Sequence, residues 1–380
     1  MKILTIFVDM VRANRLALVN PSLPNKTKFD DIFSELGGVF FTNFFTPGPD
    51  TPRSMAAYWS GKNPIKNGCD TRLKWPQYFL HNNQKTILDI FRYQSYQMDF
   101  FSFPNERRNG LFPSSFVDHK NHNKDFDFRN FLDNLTLKDK HFIFISIPDF
   151  HWALDDYGYN LVGEKKGQEE VKKSYDMIFE KFHKDDFDVI LIFSDHGFKF
   201  GTEISKRNKL SILDYDRTNC VLFYREKGDK DIVTSDKLLS ITDMFCLYEQ
   251  FALDGLNSNP FSKIDRKFVA IEDHLDFSTQ INQPLGVWAL TTINRIYIRS
   301  LTSAVTINKE NEIIDNCINK EYDEILGHET QFKRYNTEIK KLNDYHNYIK
   351  TGDKYVNGND RRKPGKFKRF INSKRHLLIN

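Results

Sequence analysis

The chain has 380 residues, 39% hydrophobic and 28% charged, with 35 phenylalanines. It is too long for a disulfide-stapled mini-domain and too apolar and aromatic for a disordered chain, so one large α/β domain with an appendage, or two domains, is expected. The formal charge of +4 hides an asymmetry: residues 361–380 carry eight Lys and Arg and no acid, and removing those eight leaves −4 for residues 1–360, which argues against a nucleic-acid binder.

The run 2–8 (KILTIFV) is short, apolar and closed by Asp9. A strand buried on both faces, as in a parallel sheet, explains it better than a leader, since Asp9 interrupts it and no small-residue cleavage site follows. Residues 46–53 form a Pro/Gly-rich loop, and residues 54–59 can start a helix. Residues 86–93 and 126–135 have helical apolar spacing. The run 141–147 (HFIFISI) repeats the buried-strand pattern and ends in Pro148-Asp149. Residues 168–183 form an amphipathic helix leading into 189–193 (VILIF), which ends in Ser194-Asp195-His196-Gly197. Residues 219–225 read as a strand and 238–251 as a helix. Beyond residue 261 the texture becomes antiparallel, with strands at 267–271, 286–292 and 295–298. Residues 310–349 read as polar and helix-like.

The expected fold is α/β: a mostly parallel central sheet flanked by helices, with a small C-terminal α+β subdomain. The expected division is a catalytic domain at 1–260, a small antiparallel subdomain at 261–320, a helical extension at 321–350 and a basic, flexible tail at 351–380. Cys69, Cys220, Cys246 and Cys317 have no CxxC spacing and read as reduced, mostly buried thiols. No stretch approaches the ~18 apolar residues of a membrane span. A cytoplasmic protein is expected, with residues 361–380 as a candidate contact to an anionic membrane face.

The chemistry sits where the buried strands end. In open α/β sheets, ligand sites lie at the carboxyl ends of the strands. Here those ends carry Asp9, Asp149 and the Asp195-His196 pair. Carboxylates and an imidazole together suit a divalent cation. Thr51 would stand at a helix N-terminus, where free N–H groups and the dipole favour an anion. A hydroxyl there, ionised by a metal, can attack phosphorus or sulfur. The plain alternative is an ordinary Thr N-cap.

Three segments then act together: Asp9-x-x-Arg12; Thr51-Pro-Arg53-Ser54 running to Ser60-Gly61-Lys62-x-Pro64 and Gly68; and Ser194-Asp195-His196-Gly197. Their order and separations resemble the alkaline phosphatase/sulfatase superfamily, on its sulfatase-like branch, over roughly residues 1–300. The resemblance implies Thr51 as nucleophile, ten residues before Gly61. It implies Asp9, Thr51, Asp195 and His196 as ligands of one divalent ion, Mn, Zn, Mg or Ca. His151 is implied as the group meeting the leaving oxygen, with Asp149 orienting it or binding substrate or metal. Arg53, shifted from the signature's arginine position at Met55, is assigned to the anion, as are Lys62, Lys206 and Lys209. Thr51 excludes a formylglycine, Met10 replaces a second acid, and Ala153 leaves a second metal site incomplete.

The implied activity is metal-dependent hydrolysis or transfer of a phosphate-type ester: a phosphomonoester, a phosphodiester or a phospho-substituted glycan. Sulfate-ester hydrolysis and a catalytically degenerate binding protein stand as the alternatives. The expected partner is an anionic small molecule or a glycan- or lipid-linked ester.

Overall fold

The computed structural model describes residues 1–69, 80, 83–102, 127–200, 213–256, 260–273, 286–300, 303–330 and 332. The main sheet is built from β1 (Lys2–Val8), β2 (Gly38–Phe45), β3 (Gln97–Phe101), β4 (His141–Ile147), β5 (Val189–Phe193), β6 (Asn219–Cys220), β7 (Leu222–Glu226) and β8 (Ile232–Ser240). Its helices are α1 (Lys28–Leu36), α2 (Thr51–Ser60), α3 (Ile87–Tyr93), α4 (Phe128–Asn134), α5 (Asp149–Tyr157), α6 (Leu161–Lys181) and α7 (Asp243–Asp254). A second, five-stranded sheet follows: β9 (Val269–Asp273), β10 (Val287–Thr291), β11 (Ile296–Arg299), β12 (Ala304–Ile307) and β13 (Ile313–Asp315), with α8 (Lys320–Glu329) after it.

The three apolar runs ending in acids are neighbours. β4, β1 and β5 lie side by side and parallel, with β3 parallel on the outer side of β4. Each is apolar on both faces because each is covered twice. Ile3 and Phe7 of β1 pack into one core with Tyr58, Trp59, Phe91 and Tyr248 from α2, α3 and α7. Leu4, Ile6 and Val8 pack into the other with Phe33, Phe131 and Ile178 from α1, α4 and α6. Phenylalanine and tyrosine dominate both layers. Tyr58 stacks on Phe193 at 4.7 Å, and Phe33 on Phe223 at 4.9 Å.

The sheet then turns antiparallel. β5 pairs with β7, and β7 and β6 pair with the two ends of β2. The expected strand at 219–225 is therefore interrupted at Val221, where the register against β2 slips by one residue. The expected helix at 238–251 begins later. Residues 238–240 belong to β8, which runs parallel to β2, and α7 starts at Asp243. The helix expected at 168–183 starts at Leu161, capped by Asn160, whose side chain accepts from the Val162 and Gly163 amides. Gly163 and Gly167 lie inside it because α5 passes so close. A Cβ on Gly163 would stand 2.1 Å from the Gly158 carbonyl oxygen. Of the four thiols, Cys69 and Cys220 are buried, whereas Cys246 and Cys317 are exposed, against the expectation of mostly buried cysteines.

The second sheet is antiparallel throughout, in the order β13-β12-β11-β10-β9. One face packs on Phe45, Leu213, Tyr215 and Leu238; the other carries Trp288, Leu290 and Tyr297 against Leu326 of α8. The amide of Glu272 in β9 donates to the Pro47 carbonyl at 3.0 Å, tying this sheet to the loop before α2. Among the described residues no helix is long and apolar enough to cross a membrane.

A buried hydroxyl cluster fixes α2 and α7 on β1. Thr5 Oγ1 lies 2.6 Å from the Tyr248 hydroxyl, which the Tyr58 hydroxyl meets at 3.0 Å. Tyr248→Phe should cost about 1–3 kcal/mol in urea unfolding, because Thr5 and Tyr58 stay buried without that partner. Replacing all three together (Thr5→Val, Tyr58→Phe, Tyr248→Phe) should recover most of the loss. An unchanged midpoint for Tyr248→Phe alone would mean the cluster does not form.

Candidate active site

The register of β1 on β5 builds the centre of the site. Phe7 pairs with Phe193. Two residues further along each parallel strand stand Asp9 and Asp195, so the pairing sets two carboxylates side by side at the sheet's carboxyl edge. Asp9, Asp195 and His196 are all buried, and one ligating atom from each lies within 4.8 Å of the others. His196 Nε2 is 3.8 Å from Asp9 Oδ1 and 3.5 Å from Asp195 Oδ2. His196 Nδ1 lies 2.9 Å from the Gly197 carbonyl, which only accepts, so the proton is on Nδ1 and the Nε2 lone pair faces the carboxylates.

Local sequence explains the tightness. Ser194 stitches three segments: its hydroxyl donates to the Val11 carbonyl at 2.8 Å and accepts from the Val221 amide at 2.9 Å. Met10 takes φ +67°, a left-handed conformation rarely adopted by a side chain of its size, and its amide donates to Asp195 Oδ1 at 3.2 Å. Gly197 is needed for close approach, not for a sharp turn. A Cβ there would meet the Asp216 carbonyl oxygen at 2.0 Å and Arg12 Cγ at 2.8 Å. Arg12 itself is buried between the rings of Phe198 and Phe200, 4.4 Å from each centroid.

Thr51 is the first residue of α2, with Asp50 as its N-cap. The Thr51 hydroxyl hydrogen-bonds to Asp195 and lowers its pKa, and Ser54 Oγ on the same helix donates to the Asp195 carbonyl at 2.9 Å. The hydroxyl, the two carboxylates and the imidazole therefore converge. His151, in the first turn of α5, joins them. Its Nδ1 is 2.8 Å from Asp9 Oδ2, and its Nε2 is 3.5 Å from Asp155 Oδ2. Asp155 was not anticipated; an acid four residues along a helix from His151 was the signal.

The electrostatics are those of a cation site. Asp195 is pushed well above the ordinary carboxylate range, first by burial and then by the charge of Asp9, against the opposing Thr51 hydroxyl and the Met10 and His196 amides. Asp9 would be raised by burial too, but His151 and His196 outweigh that and hold it low. Burial pushes His196 down to about 4, so its imidazole is neutral at neutral pH. Asp9 Oδ1 and Asp195 Oδ2 are buried and have no hydrogen-bond partner among the described residues. Two such oxygens beside a neutral imidazole nitrogen fit a divalent ion, since two like charges this close need a cation or a shared proton.

Other expected site residues fall elsewhere. Arg53 does not face the anion position. It is fully buried, with Nε donating to Asp50 Oδ2 at 2.5 Å, Nη1 to the Glu272 carbonyl at 2.8 Å and Nη2 to Asp273 Oδ1 at 2.8 Å. Burial works against its charge, yet Asp50 and Asp273 hold it cationic. Lys62 stands beyond the far end of α2 from Thr51, exposed, with Nζ on Gln84 Oε1 at 2.7 Å. Ten helical residues put it about 15 Å away along the axis. Asp149 opens α5 but its charged neighbours are Glu170 and Lys173 of α6, not the cluster. Lys206, Lys209 and residues 361–380 lie outside the described residues.

No protein-family model and no curated protein matches the sequence. Solved structures do. A 2-O glycosaminoglycan sulfatase is similar at 13% identity over 92% of this chain and 93% of its own, with a TM-score of 0.60. The phosphonate monoester hydrolase of Silicibacter pomeroyi is similar at 12% identity over 92% and 95%, TM-score 0.55. An alkaline phosphatase superfamily protein from Vibrio parahaemolyticus is similar at 12% identity over 90% and 87%, TM-score 0.58. The chain thus has the alkaline phosphatase/sulfatase-like fold.

Two outcomes are expected from the site's charges. Protons and a cation compete for Asp195, and in acid for His196, so Mn²⁺ affinity measured by calorimetry should fall steadily from pH 8 to pH 5. A pH-independent affinity would remove Asp195 from the ligand set. Arg53→Ala leaves Asp50 and Asp273 buried beside an empty space and should lower stability by about 3–5 kcal/mol in denaturant unfolding; a neutral result would contradict the clamp described above.

Proposed function

We propose that this chain is a metal-dependent esterase acting on a phosphate-type ester, with Thr51 as nucleophile. The observation that supports it is the convergence of a helix-terminal hydroxyl with two buried carboxylates and a neutral imidazole. Asp9, Asp195, His196 and Thr51 are the residues that would hold one divalent ion, Mn, Zn, Mg or Ca. When bound, such an ion supplies the positive charge that lowers the hydroxyl's pKa and offsets charge on the substrate oxygens.

The chain's own residues do the rest. Thr51 Oγ1 forms the new bond to phosphorus while the bond to the leaving oxygen breaks. The hydroxyl proton is lost to solvent as Oγ1 attacks, with Asp195, to which the hydroxyl is hydrogen-bonded, orienting it. His151, held through Nδ1 by Asp9, gives a proton to the leaving oxygen. Pro52 has no N–H and the Arg53 and Ser54 amides donate to Asp50, so it is the dipole of α2 that favours the anionic oxygens at its start. A water, or an acceptor hydroxyl in a transferase, then attacks phosphorus, and Thr51 Oγ1 leaves with a proton returned to it.

A second reading, sulfate-ester hydrolysis, is favoured by the sulfatases among the similar structures. Thr51 weighs against it, because a threonine cannot become the formylglycine of the resembling sulfatases. One assay separates the readings: aryl phosphate, bis-aryl phosphate, aryl phosphonate and aryl sulfate, each offered to the Mn²⁺-loaded protein. Hydrolysis of a phosphorus ester is expected. Thr51→Ala should lose at least about a thousandfold in kcat while still binding Mn²⁺ through the remaining ligands. Undiminished turnover in that variant would sink the nucleophile assignment, and turnover of aryl sulfate alone would favour the second reading.

A further inference from the structure

Four charged side chains surround the loop that leads into Thr51: Asp50, Arg53, Arg217 and Asp273. Asp273, at the end of β9, is their hub. Its Oδ1 accepts from Arg53 Nη2 at 2.8 Å, and its Oδ2 lies 3.4 Å from Arg217 Nη1. The two arginines differ in what lies around them. The Arg53 side chain is 2% exposed and faces Asp50 and the Glu272 carbonyl. The Arg217 side chain is 12% exposed. Its Nη2 donates to the Pro49 carbonyl at 3.0 Å, two residues before Thr51. Its own carbonyl accepts the Gly197 amide at 2.9 Å, next to His196.

We propose that Arg217 is the guanidinium that binds the anionic oxygens of the substrate beside Thr51, and that Asp273 of the second sheet positions it. The assignment rests on Thr51 marking the reaction centre. Arg217 meets the nucleophile loop through its guanidinium and the metal-ligand loop through its backbone carbonyl, so its charge sits against the loop that runs into Thr51. A planar guanidinium matches two oxygens of a tetrahedral anion at once. Of the expected cations, Arg53 and Lys62 are directed elsewhere, and Lys206 and Lys209 lie outside the described residues. Phosphate and sulfate esters share this chemistry, so the residue recognises the oxyanion and leaves the choice between them to the rest of the site.

The test is calorimetric titration of inorganic phosphate, and separately of sulfate, into the Mn²⁺-loaded protein. Wild type, Arg217→Ala, Arg217→Gln and Arg217→Lys are compared. Arg217→Gln keeps a donor for the Pro49 carbonyl and covers the case in which Arg217→Ala fails to fold. Phosphate affinity should fall about tenfold or more in the Ala and Gln variants, with partial recovery in Lys. Mn²⁺ affinity should stay within about twofold of wild type, since Arg217 is not a ligand. With an ester substrate, KM should rise more than kcat falls. A folded Arg217→Ala or Arg217→Gln protein that binds phosphate as tightly as wild type overturns the proposal and leaves the Thr51 reading standing. A wild-type protein that binds neither anion overturns both.

Discussion

Everything at the carboxyl edge of this sheet follows from one constraint: two carboxylates are buried side by side. The parallel pairing of β1 with β5 leaves no choice about it, because Phe7 opposite Phe193 carries Asp9 to Asp195. Removing two like charges from water costs several kcal/mol per ion even after relaxation. Without a cation the pair answers as physics requires, with Asp195 forced up and Asp9 held down by its histidines. A fold that placed these groups for stability alone would have given both buried oxygens partners. Asp9 Oδ1 and Asp195 Oδ2 have none among the described residues.

The surroundings are arranged to hold that costly pair still. Ser194 links the β1 loop, the β5 end and the interrupted β6–β7 strand through one hydroxyl. Met10 accepts a backbone strain of order 1–3 kcal/mol while its amide faces Asp195. Gly197 clears a space that any Cβ would fill. Ser54 fastens the helix bearing Thr51 to the Asp195 carbonyl. These contacts act on orientation rather than on charge. They give the like-charge pair a fixed geometry.

How much of this was legible depends on the range of the interaction. Buried strands ending in acids are local signals, and β1, β4 and β5 matched their expected bounds because apolar runs covered on both faces have no alternating pattern to misread. The cluster of Asp9, Asp195, His196 and Thr51 came from motif order, and its members do meet. The failures are non-local. Arg53 looked like an anion binder because it neighbours Thr51 in sequence, but Asp50 and Asp273, the latter 220 residues away, claim its guanidinium. Lys62 shared a motif with Thr51, yet a helix separates them. Residues 161–167 of α6 were missed since two glycines lower helix propensity, whereas close packing on α5 requires them.

The second sheet is part of the same chemistry. Asp273 is wholly buried and touches two guanidiniums, one from the helix that carries Thr51 and one from the segment paired to Gly197. Take β9 away and Arg53 keeps only Asp50, while Arg217 keeps Pro49 but loses the carboxylate that aims it. Asp50 and Asp273 offset Arg53 and Arg217 only when both sheets are present, which leaves the Asp9 and Asp195 pair for a cation to offset. On the proposed reading, a body with net charge −4 accepts an anion only because a bound cation would offset Asp9 and Asp195. Charges within reach of Thr51 outweigh the net charge there, because low dielectric strengthens them while distant surface acids are screened by solvent and salt. Net charge describes the protein's outside; the second sheet helps to set the charge around Thr51.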